Sequence, residues 1–509
     1  MNRVGCRGRV VEPHGRCLAH LETVDQDTYI SGLAPGDDVD LRGTTLTDAM
    51  LSALLDALRD PDTGYPRLGT AHFTEAKFTG PALFEAATFT GDADFSKSRF
   101  SRGCNFDGTS FSGSVLLEGA IFSASASFRG VLFETAERLG PLVCDRVLHL
   151  SGAVFSSPVV IEAAAYGVQC SRTRWSATTT LRLRYALVDL EDAVTEYPLI
   201  IISRSSPFEV GLLQLNEEGL AGEDESVKLG LIRGFDAAQL ALINVGIHES
   251  RFIGAANLDQ LQLSGDFTFA STPRGLYRRG LLPVHWTRRH AIAEERRWRA
   301  EVATNERARD AWGAGGYGPL GVASASAPRP AALASVYRQL RKALEDGKNE
   351  PDAADFYYGE MEMRRHDKAR PRAERALITV YWAVSGYGLR ASRAILWLMG
   401  AMAATVLLIM LWGLPIHDPK PATTGRLEGQ RITLSTDIPA PVNPEVPLTE
   451  RLTSDRWEKS LRTVLNSVIF RSSGQELTTA GTYIEMGSRL TEPVLVGLAA
   501  LAIRGRVKR

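Results

Sequence analysis

Large apolar residues in the middle of the chain recur every five or six residues, and the two steps alternate. The positions are Phe73, Phe78, Phe84, Phe89, Phe95, Phe100, Phe106, Phe111, Leu117, Phe122, Phe128 and Phe133. Alanine, glycine, serine and threonine fill most of the gaps. Neither an α-helix nor an ordinary β-strand has this period. A short period sustained over so many residues predicts a stacked solenoid, in which each coil buries its large side chains only against its neighbours.

These repeats resemble the pentapeptide-repeat family, on the A-x-F-x-x spacing seen at Ala93–Phe95 and Ala126–Phe128. The resemblance implies an all-β, right-handed quadrilateral β-helix in which the central Phe and the small residue two places before it point inward. We therefore expect the Phe residues to form a core rather than a binding site. The alternate six-residue step predicts coils of about 22 residues with a bulge on alternate faces.

Beyond Phe133 the repeat weakens, and it resumes between Leu242 and Leu263. We place the solenoid at residues 69–272, with an irregular middle that contains the acidic loop Glu217–Glu225. Residues 23–68 are predicted to form an N-terminal cap, because Asp48–Arg59 has helical spacing of its leucines. A solenoid needs such a cap, since an end coil exposes unpaired backbone edges.

Residues 1–22 contain a constellation typical of a metal site, with Cys6, His14, Cys17 and His20 in the order C-x7-H-x2-C-x2-H. Thiolates and imidazoles at such separations can converge on tetrahedral zinc. The ending C-L-A-H-L resembles zinc-knuckle modules, which usually begin with two cysteines, so His14 has to replace one here. Two interpretations stay open: a structural zinc site, or an ordinary turn with an unpaired Cys6. Zinc is the only cofactor that we expect.

The net charge changes sign along the chain. Residues 69–272 carry 24 acidic and 15 basic side chains, whereas residues 273–393 carry 14 acidic and 23 basic ones. We interpret residues 273–312 as a basic helical segment, and residues 332–393 as a helical hairpin with a basic juxtamembrane end. The basic part predicts contact with anionic lipids, and the solenoid surface predicts a protein partner. Nucleic acid is not an expected partner.

Residues 313–331 have the composition of a linker. They also match G-x-G-x-x-G at Gly313, Gly315 and Gly318. A dinucleotide site needs a strand before these glycines and a helix that opens at the last one. Here an arginine-rich segment precedes them and Pro319 follows, so we do not expect a nucleotide site.

Residues 394–414 are the longest apolar stretch, 21 residues without a charge and with Trp397 and Trp412 near the ends. This length is enough to cross a bilayer. Many cations precede it and few charges follow, so the positive-inside rule places residues 1–393 in the cytoplasm, with the solenoid on the cytoplasmic side of the cell membrane. The preceding pieces ADFYYGEMEMRRH and YWAVSGYGLR, in this order, resemble the segment before the membrane span in actinobacterial pentapeptide-repeat membrane proteins.

Residues 483–509 form a weaker candidate for a second span that ends in a basic cytoplasmic tail. The span would have to include Glu485, Arg489 and Glu492, and charges inside a membrane are costly. Residues 415–482 would then be extracytoplasmic, with an amphipathic run at Leu461–Phe470. Whether the chain has one membrane span or two stays open.

No catalytic motif stands out, and Glu360 and Glu362 read as surface charges because they are two residues apart on a helix. The pattern favours a membrane-anchored, non-enzymatic scaffold or sensor that presents its repeat surface to a protein partner in the cytoplasm. The alternative is a two-span pore or transport subunit with a cytoplasmic regulatory solenoid. The oligomeric state cannot be predicted from these patterns.

Overall fold

The computed structural model describes residues 6–279, 282–286, 288–303, 306–313, 328–416, 420–428, 431–437, 439–470 and 476–507. The linker and its glycine motif lie almost entirely outside the described residues. The chain forms two compact units, Met1–Met363 and Arg364–Arg509.

The first unit is a parallel β-solenoid of about nine turns, so the predicted fold class is confirmed. Two-residue strands stack in four columns, one for each side of the coil. The first column is Val39–Asp40, Ala71–His72, Ala93–Asp94 and Val115–Leu116. The second is Thr45–Leu46, Lys77–Phe78, Arg99–Phe100 and Ile121–Phe122, and the third is Ala82–Leu83, Cys104–Asn105 and Ala126–Ser127. The fourth is Arg67–Leu68, Thr88–Phe89, Ser110–Phe111, Leu132–Phe133, Val154–Phe155, Arg174–Trp175 and Val194–Thr195.

The Phe side chains form stacked ladders in the core. Phe100 pairs in register with Phe78 and Phe122, and its ring centroid lies 4.6 Å from each of theirs. In the five-residue step the chain turns tightly, as at Glu75, where φ is 57° and Ala76 N–H donates to the Phe73 carbonyl. The strands are separated by corners of unequal length, since four residues separate Ala71–His72 from Lys77–Phe78 and three separate that strand from Ala82–Leu83. These strands have no bulge, which differs from our expectation.

Later coils use longer strands, and an insertion interrupts them. These strands are Arg138–His149, Val159–Gln169, Thr179–Arg184, Leu187–Asp189, Leu199–Ser203, Lys228–Leu229, Leu240–Ile243 and Gln262–Ser264. The number of residues per coil is smaller in this part of the fourth column, because Val154 pairs with Arg174 and Arg174 pairs with Val194. Short 3-10 helices lie at Glu218–Leu220, Ala237–Gln239 and Leu258–Gln260.

The solenoid begins before the predicted residue 69, because Val39 already pairs with Ala71. Helix α1 (Thr23–Ser31) precedes this first coil, and helix α2 (Asp48–Ala57) lies within it. Thr47 caps α2 by accepting the Met50 N–H, and the apolar face of α2 is buried. Residues 23–68, which we predict to be a cap, therefore contain the first coil of the solenoid. The five-residue repeat is not visible there because α2 takes the place of one strand.

Helices close the other end of the solenoid. They are α3 (Ala293–Val302), α4 (Glu306–Gly313), α5 (Pro330–Asp346) and α6 (Glu350–His366). The Glu294 carboxylate accepts the Phe252 and Ile253 N–H groups, and the Gln339 side chain accepts the Leu258 N–H. These contacts satisfy backbone donors that an open solenoid edge would leave unpaired.

The interpretation of residues 273–312 as helical is wrong at its start. Gly275–Arg279 and Leu282–Trp286 form an antiparallel hairpin, and Ala270–Ser271 pairs with His290–Ala291. Pro283 lies in the second strand of the hairpin, and a proline inside a helix would remove a hydrogen bond and clash with the preceding turn. The arginine-rich composition of this segment led to the prediction of a helix, although Pro283 disfavours one.

The second unit contains helices α7 (Arg372–Ser385), α8 (Ala391–Leu408), α9 (Ser454–Phe470) and α10 (Thr479–Val507). Helix α8 continues as one π-helical turn, Ile409–Gly413. Between α8 and α9 lie an antiparallel hairpin, Ala422–Glu428 with Arg431–Asp437, and a 3-10 turn at Leu448–Arg451. Helices α8 and α10 contact each other extensively and both contact α9.

Candidate functional site

Three of the four predicted metal ligands lie together near the N-terminus. An antiparallel pair, Val10–Val11 with Arg16–Cys17, is followed by a 3-10 turn at Leu18–His20. This turn brings Cys17 Sγ within 3.0 Å of His20 Nδ1, and Cys6 Sγ lies 3.4 Å from each of these atoms. Among the described residues, this is the group of side chains with the spacing of a metal site.

Gly8 lies against the sulfur atoms of Cys6 and Cys17, and its lack of a side chain leaves room for them. The Gly8 N–H donates to Cys6 Sγ, and a Cβ atom at Gly8 would lie 2.8 Å from Cys17 Sγ. Burial and the neighbouring Cys6 thiol raise the pKa of Cys17 to about 11. Without a cation this thiol therefore stays protonated, whereas a bound metal ion would favour the thiolate.

His14 does not join this group. Its Nδ1 atom lies 3.4 Å from Asp25 Oδ2 on α1. The spacing of His14 made it a reasonable fourth ligand, but the turn that follows Cys17 brings His20 to the cluster and leaves His14 outside it. The three residues Cys6, Cys17 and His20 thus remain as the candidate metal centre.

An insertion on the solenoid exposes two leucines. The strands Glu209–Val210 and Leu213–Gln214 form a short hairpin, and Leu212 and Leu213 at its turn are exposed to solvent. Phe208, just before the hairpin, is buried against the solenoid, with Val143 in the same apolar cluster. The sequence drew attention to the acidic loop here but not to these leucines, because their orientation depends on the hairpin.

The insertion is also held by a buried ion pair. The Arg184 guanidinium lies 3.1 Å from Glu217 and 3.2 Å from Glu225, and its side chain is almost fully buried. The Tyr185 hydroxyl donates to Glu217 as well. The hairpin therefore projects from an anchored base.

The helical cap of the solenoid buries a network of charges. Glu295 accepts hydrogen bonds at 2.6 Å from both Arg289 and Arg299, and the Tyr337 hydroxyl also donates to it. Arg299 makes a further bond of 3.0 Å to Glu362. Burial raises the pKa of Glu295, but the two arginines lower it more, so its pKa lies below the usual value. Glu295 is thus a buried, ionised carboxylate with two positive neighbours.

The interpretation of Glu360 and Glu362 as surface charges is wrong, because both side chains are buried. Glu362 bonds to Arg299, and Glu360 lies 3.1 Å from Arg338 on α5. Although the two glutamates are two residues apart on α6, α3 and α5 pack on different sides of that helix. Sequence spacing could not show that both sides would be covered.

Helices α8 and α10 have the length and composition of membrane spans. The candidate spans are Ala391–Gly413 and Thr479–Arg504, and only 28% and 22% of their apolar stretches is buried. A core helix of a water-soluble protein would be mostly buried. The two helices meet closely where Gly413 contacts Gly481, since a Cβ at Gly481 would lie 2.5 Å from the Gly413 carbonyl oxygen.

Charged residues of α10 have defined partners in the second unit. Glu485 pairs with Arg489 at 2.8 Å, and the Arg489 Nε donates to Ser467 of α9 at 3.2 Å. Glu492 accepts a hydrogen bond of 3.0 Å from the Thr405 hydroxyl on α8. Of the three charged residues that weaken the prediction of a second span, Arg489 and Glu492 thus have partners on neighbouring helices, and Glu485 pairs with Arg489 within α10.

Comparison with known proteins supports the repeat. Residues 68–110 match the family model for pentapeptide repeats (nine copies). Neither the curated proteins nor the solved structures gave a match. Solenoids of this kind are typically non-catalytic.

Proposed function

We propose that this pentapeptide-repeat-containing protein is a membrane-anchored, non-enzymatic scaffold or sensor, whose solenoid binds a protein partner on the cytoplasmic side. The observation that carries the proposal is the presence in one chain of a rigid repeat surface and two mostly exposed apolar helices. A long stacked surface with an anchored projection suits the binding of a partner better than the conversion of a substrate.

The partner contact is assigned to the hairpin that exposes Leu212 and Leu213. Adjacent exposed leucines on an anchored projection are typical of a contact site, whereas single exposed apolar residues are common everywhere. Full burial of one leucine contributes roughly 1.5–3 kcal/mol. Two leucines together would therefore dominate a modest interface.

Proximity labelling from the solenoid in native membranes tests this assignment. We expect Leu212→Asp with Leu213→Asp to remove the most strongly labelled proteins while the protein stays in the membrane. A control is Val24→Asp, which replaces an exposed apolar residue of α1 with a single carboxylate. Unchanged labelling in the double variant would contradict the assignment.

Contact with anionic lipids is assigned to the basic residues of the juxtamembrane segment, from Arg364 to Arg393. Arg289 and Arg299 are not available for this role, because both lie in the buried network with Glu295. Arg365 and Arg393 instead lie over the Trp382 ring, at 4.3 Å and 5.1 Å from its centroid. Each cation near the lipid surface contributes about 1 kcal/mol of attraction.

A structural zinc ion at Cys6, Cys17 and His20 is part of the same proposal. Two sulfurs and one imidazole nitrogen suit zinc, and a segment this small gains folding energy from a metal. Elemental analysis of the full chain, purified without chelator, should find about one zinc per chain. Cys17→Ser should lose it, whereas His14→Gln should keep it because His14 faces Asp25. A metal-free wild-type protein would contradict the site.

The alternative function is a two-span pore or transport subunit with a regulatory solenoid. The observation that favours it is the position of α9, which lies against both α8 and α10. A reporter fused after Arg509 should lie on the same side as the solenoid if both helices span the membrane. If that reporter lies on the opposite side, only one helix spans and the pore is excluded.

A further inference from the structure

Helix α9 begins beside the C-terminal end of α8 and then lies along α8. In the first turn of α9, Arg456 donates to the carbonyl oxygens of Met410 and Leu414 at 2.8 Å and 2.9 Å. Two turns later, Val464 belongs to an apolar cluster with Val406 of α8. Near its other end, α9 reaches Arg489 of α10, as described above. Helix α9 therefore follows both apolar helices toward their middle.

The start of α10 lies at the same end of α8 as the start of α9. Thr478, just before α10, donates its hydroxyl to the Trp412 carbonyl oxygen at 2.8 Å and its N–H to Gly413 at 2.9 Å. Arg489 lies eight residues beyond Gly481, which is about 12 Å along a helix. If α8 and α10 span a bilayer, α9 is a re-entrant helix that enters and leaves on one side.

A line of buried polar side chains follows α9 and α10 from that side. Ser460, Thr463 and Ser467 lie at three- and four-residue steps on one face of α9, and all three are buried. On α10, Glu485, Ser488 and Glu492 follow the same spacing and are also buried. Buried polar groups at membrane depth are tolerated where they meet protein or water.

The line ends at Glu492. Its side chain is only 1% exposed, its Oε1 atom accepts from Thr405, and its Oε2 atom has no hydrogen-bond partner among the described residues. Farther along α10, the buried positions are alanines, Ala499 and Ala502. The polar line therefore reaches Glu492 from the side of residues 415–482 and does not continue past it.

Among the described residues, no cation forms an ion pair with Glu492. Helix α8 has no charged residue between Ala394 and Leu414, and the described face of α9 toward α10 carries Ser460, Thr463 and Ser467. On α10, Arg489 is the nearest cation and it pairs with Glu485. The remaining charged groups of the packed helices are Arg372, Glu374, Arg375, Arg393, Asp455, Arg456, Glu458, Lys459, Arg462, Arg504 and Arg506. Arg462, in the middle of α9, is exposed and pairs with Glu458. Among the described side chains, none of these groups is a hydrogen-bond partner of Glu492.

We propose that Glu492 is a proton-binding site, reached through the polar line from the side of residues 415–482, and that the protein senses pH there. An ionised carboxylate with one hydroxyl partner is costly inside a membrane, so the buried form is the neutral acid. Its second oxygen has no partner among the described residues and can hold the proton, and the buried hydroxyls lie between Glu492 and the side of residues 415–482. The proposal rests on the proposed membrane anchorage and names the signal of the sensor.

The test uses the full chain in sealed vesicles of phosphatidylcholine and phosphatidylglycerol, with a hydrophobic carbodiimide that labels protonated carboxyl groups. Peptide mass spectrometry reports the labelling of Glu492. We expect labelling to fall about tenfold as the pH on the side of residues 415–482 rises from about 5 to about 9. The pH on the other side should have no effect.

Two variants separate a proton site from a purely structural contact. Thr405→Val removes the hydrogen bond that favours the ionised form, so labelling should persist to higher pH. Glu458→Gln, at an exposed position of α9, should leave the profile unchanged.

Labelling that is absent at every pH, that does not depend on pH, or that follows the pH of the other side would overturn the proposal. Flotation of the same vesicles reports membrane insertion separately. A protein that floats but fails the labelling test contradicts only the proton site. A protein that does not float contradicts the anchorage as well.

Discussion

The helical cap of the solenoid and the second unit each bury a glutamate, but they surround it with different groups. Glu295 has Arg289, Arg299 and Tyr337 as partners, so it stays ionised and its pKa is low. Glu492 has one hydroxyl partner and a free oxygen. A buried acid with several cationic partners fixes a structure, whereas one with an incomplete set of partners is free to exchange a proton.

The largest expected effect follows from neutralising each acid. Glu295→Gln leaves two buried arginines without full compensation, so we expect the free energy of unfolding to fall by about 3–5 kcal/mol. Glu492→Gln preserves an acceptor for Thr405 and removes no partner of a charge, so we expect a loss below about 1 kcal/mol. Thermal unfolding of the full chain in detergent measures the two losses. Limited proteolysis during heating shows which of the two units unfolds.

The control for this comparison is Glu301→Gln on the same helix as Glu295. Glu301 pairs with Arg297 at an exposed position, where such pairs contribute about 0–1 kcal/mol. Equal losses for Glu295→Gln and Glu301→Gln would show that the buried network does not hold the cap.

A smaller effect is expected from Tyr337→Phe. The Tyr337 hydroxyl donates to Glu295 and accepts the Ile292 N–H at 3.1 Å, and its removal leaves that buried donor unpaired. We expect a loss of about 1–3 kcal/mol in the free energy of unfolding. Unfolding of the same chain in urea, with an unchanged slope, should show it. A variant as stable as the wild type would mean that water replaces the hydroxyl.

The smallest effect concerns His290 in the same cap. The hydrogen bond and charge of Asp352 raise the pKa of His290, although burial opposes them. Protonated His290 therefore stabilises the fold below its unfolded pKa of about 6.5, and this contribution is lost as the pH rises through the higher folded pKa. Because His290 is partly exposed, we expect less than about 1 kcal/mol.

Melting temperatures of the wild type and of His290→Gln measure this contribution. The difference between the two proteins should be larger at about pH 5.5 than at about pH 8.5. His248→Gln is the matched control, since burial lowers the pKa of His248 and the sign should reverse. A difference that does not change with pH would contradict the role of Asp352.

The solenoid was predictable because each coil repeats one local rule. The spacing of Phe100 and the family resemblance both predict that it lies in the core, and its stacking on Phe78 follows from the repeat. The cap was not predictable in this way. The burial of Glu362 depends on Arg299 of another helix, and the hairpin of residues 275–286 was hidden by an arginine-rich composition.

The candidate sites show the same limit. Cys17 and His20 are three residues apart, and local geometry was enough to bring them together. His14 was assigned from spacing, but its contact with Asp25 depends on the packing of α1. From the sequence, Glu492 is only a charge that makes a second membrane span costly. Its burial against Thr405 cannot be predicted, because Thr405 lies 87 residues away in the sequence.

Membrane fractionation of the full chain and of a chain that ends at residue 393 tests the central claim, that the second unit anchors a scaffold. We expect the full chain to stay with the membrane in high salt and in alkaline carbonate, because α8 and α10 are proposed to span the bilayer. The shorter chain should be released by high salt, since only its basic residues would contact lipid headgroups. A shorter chain that remains fully membrane-bound in high salt would contradict the account.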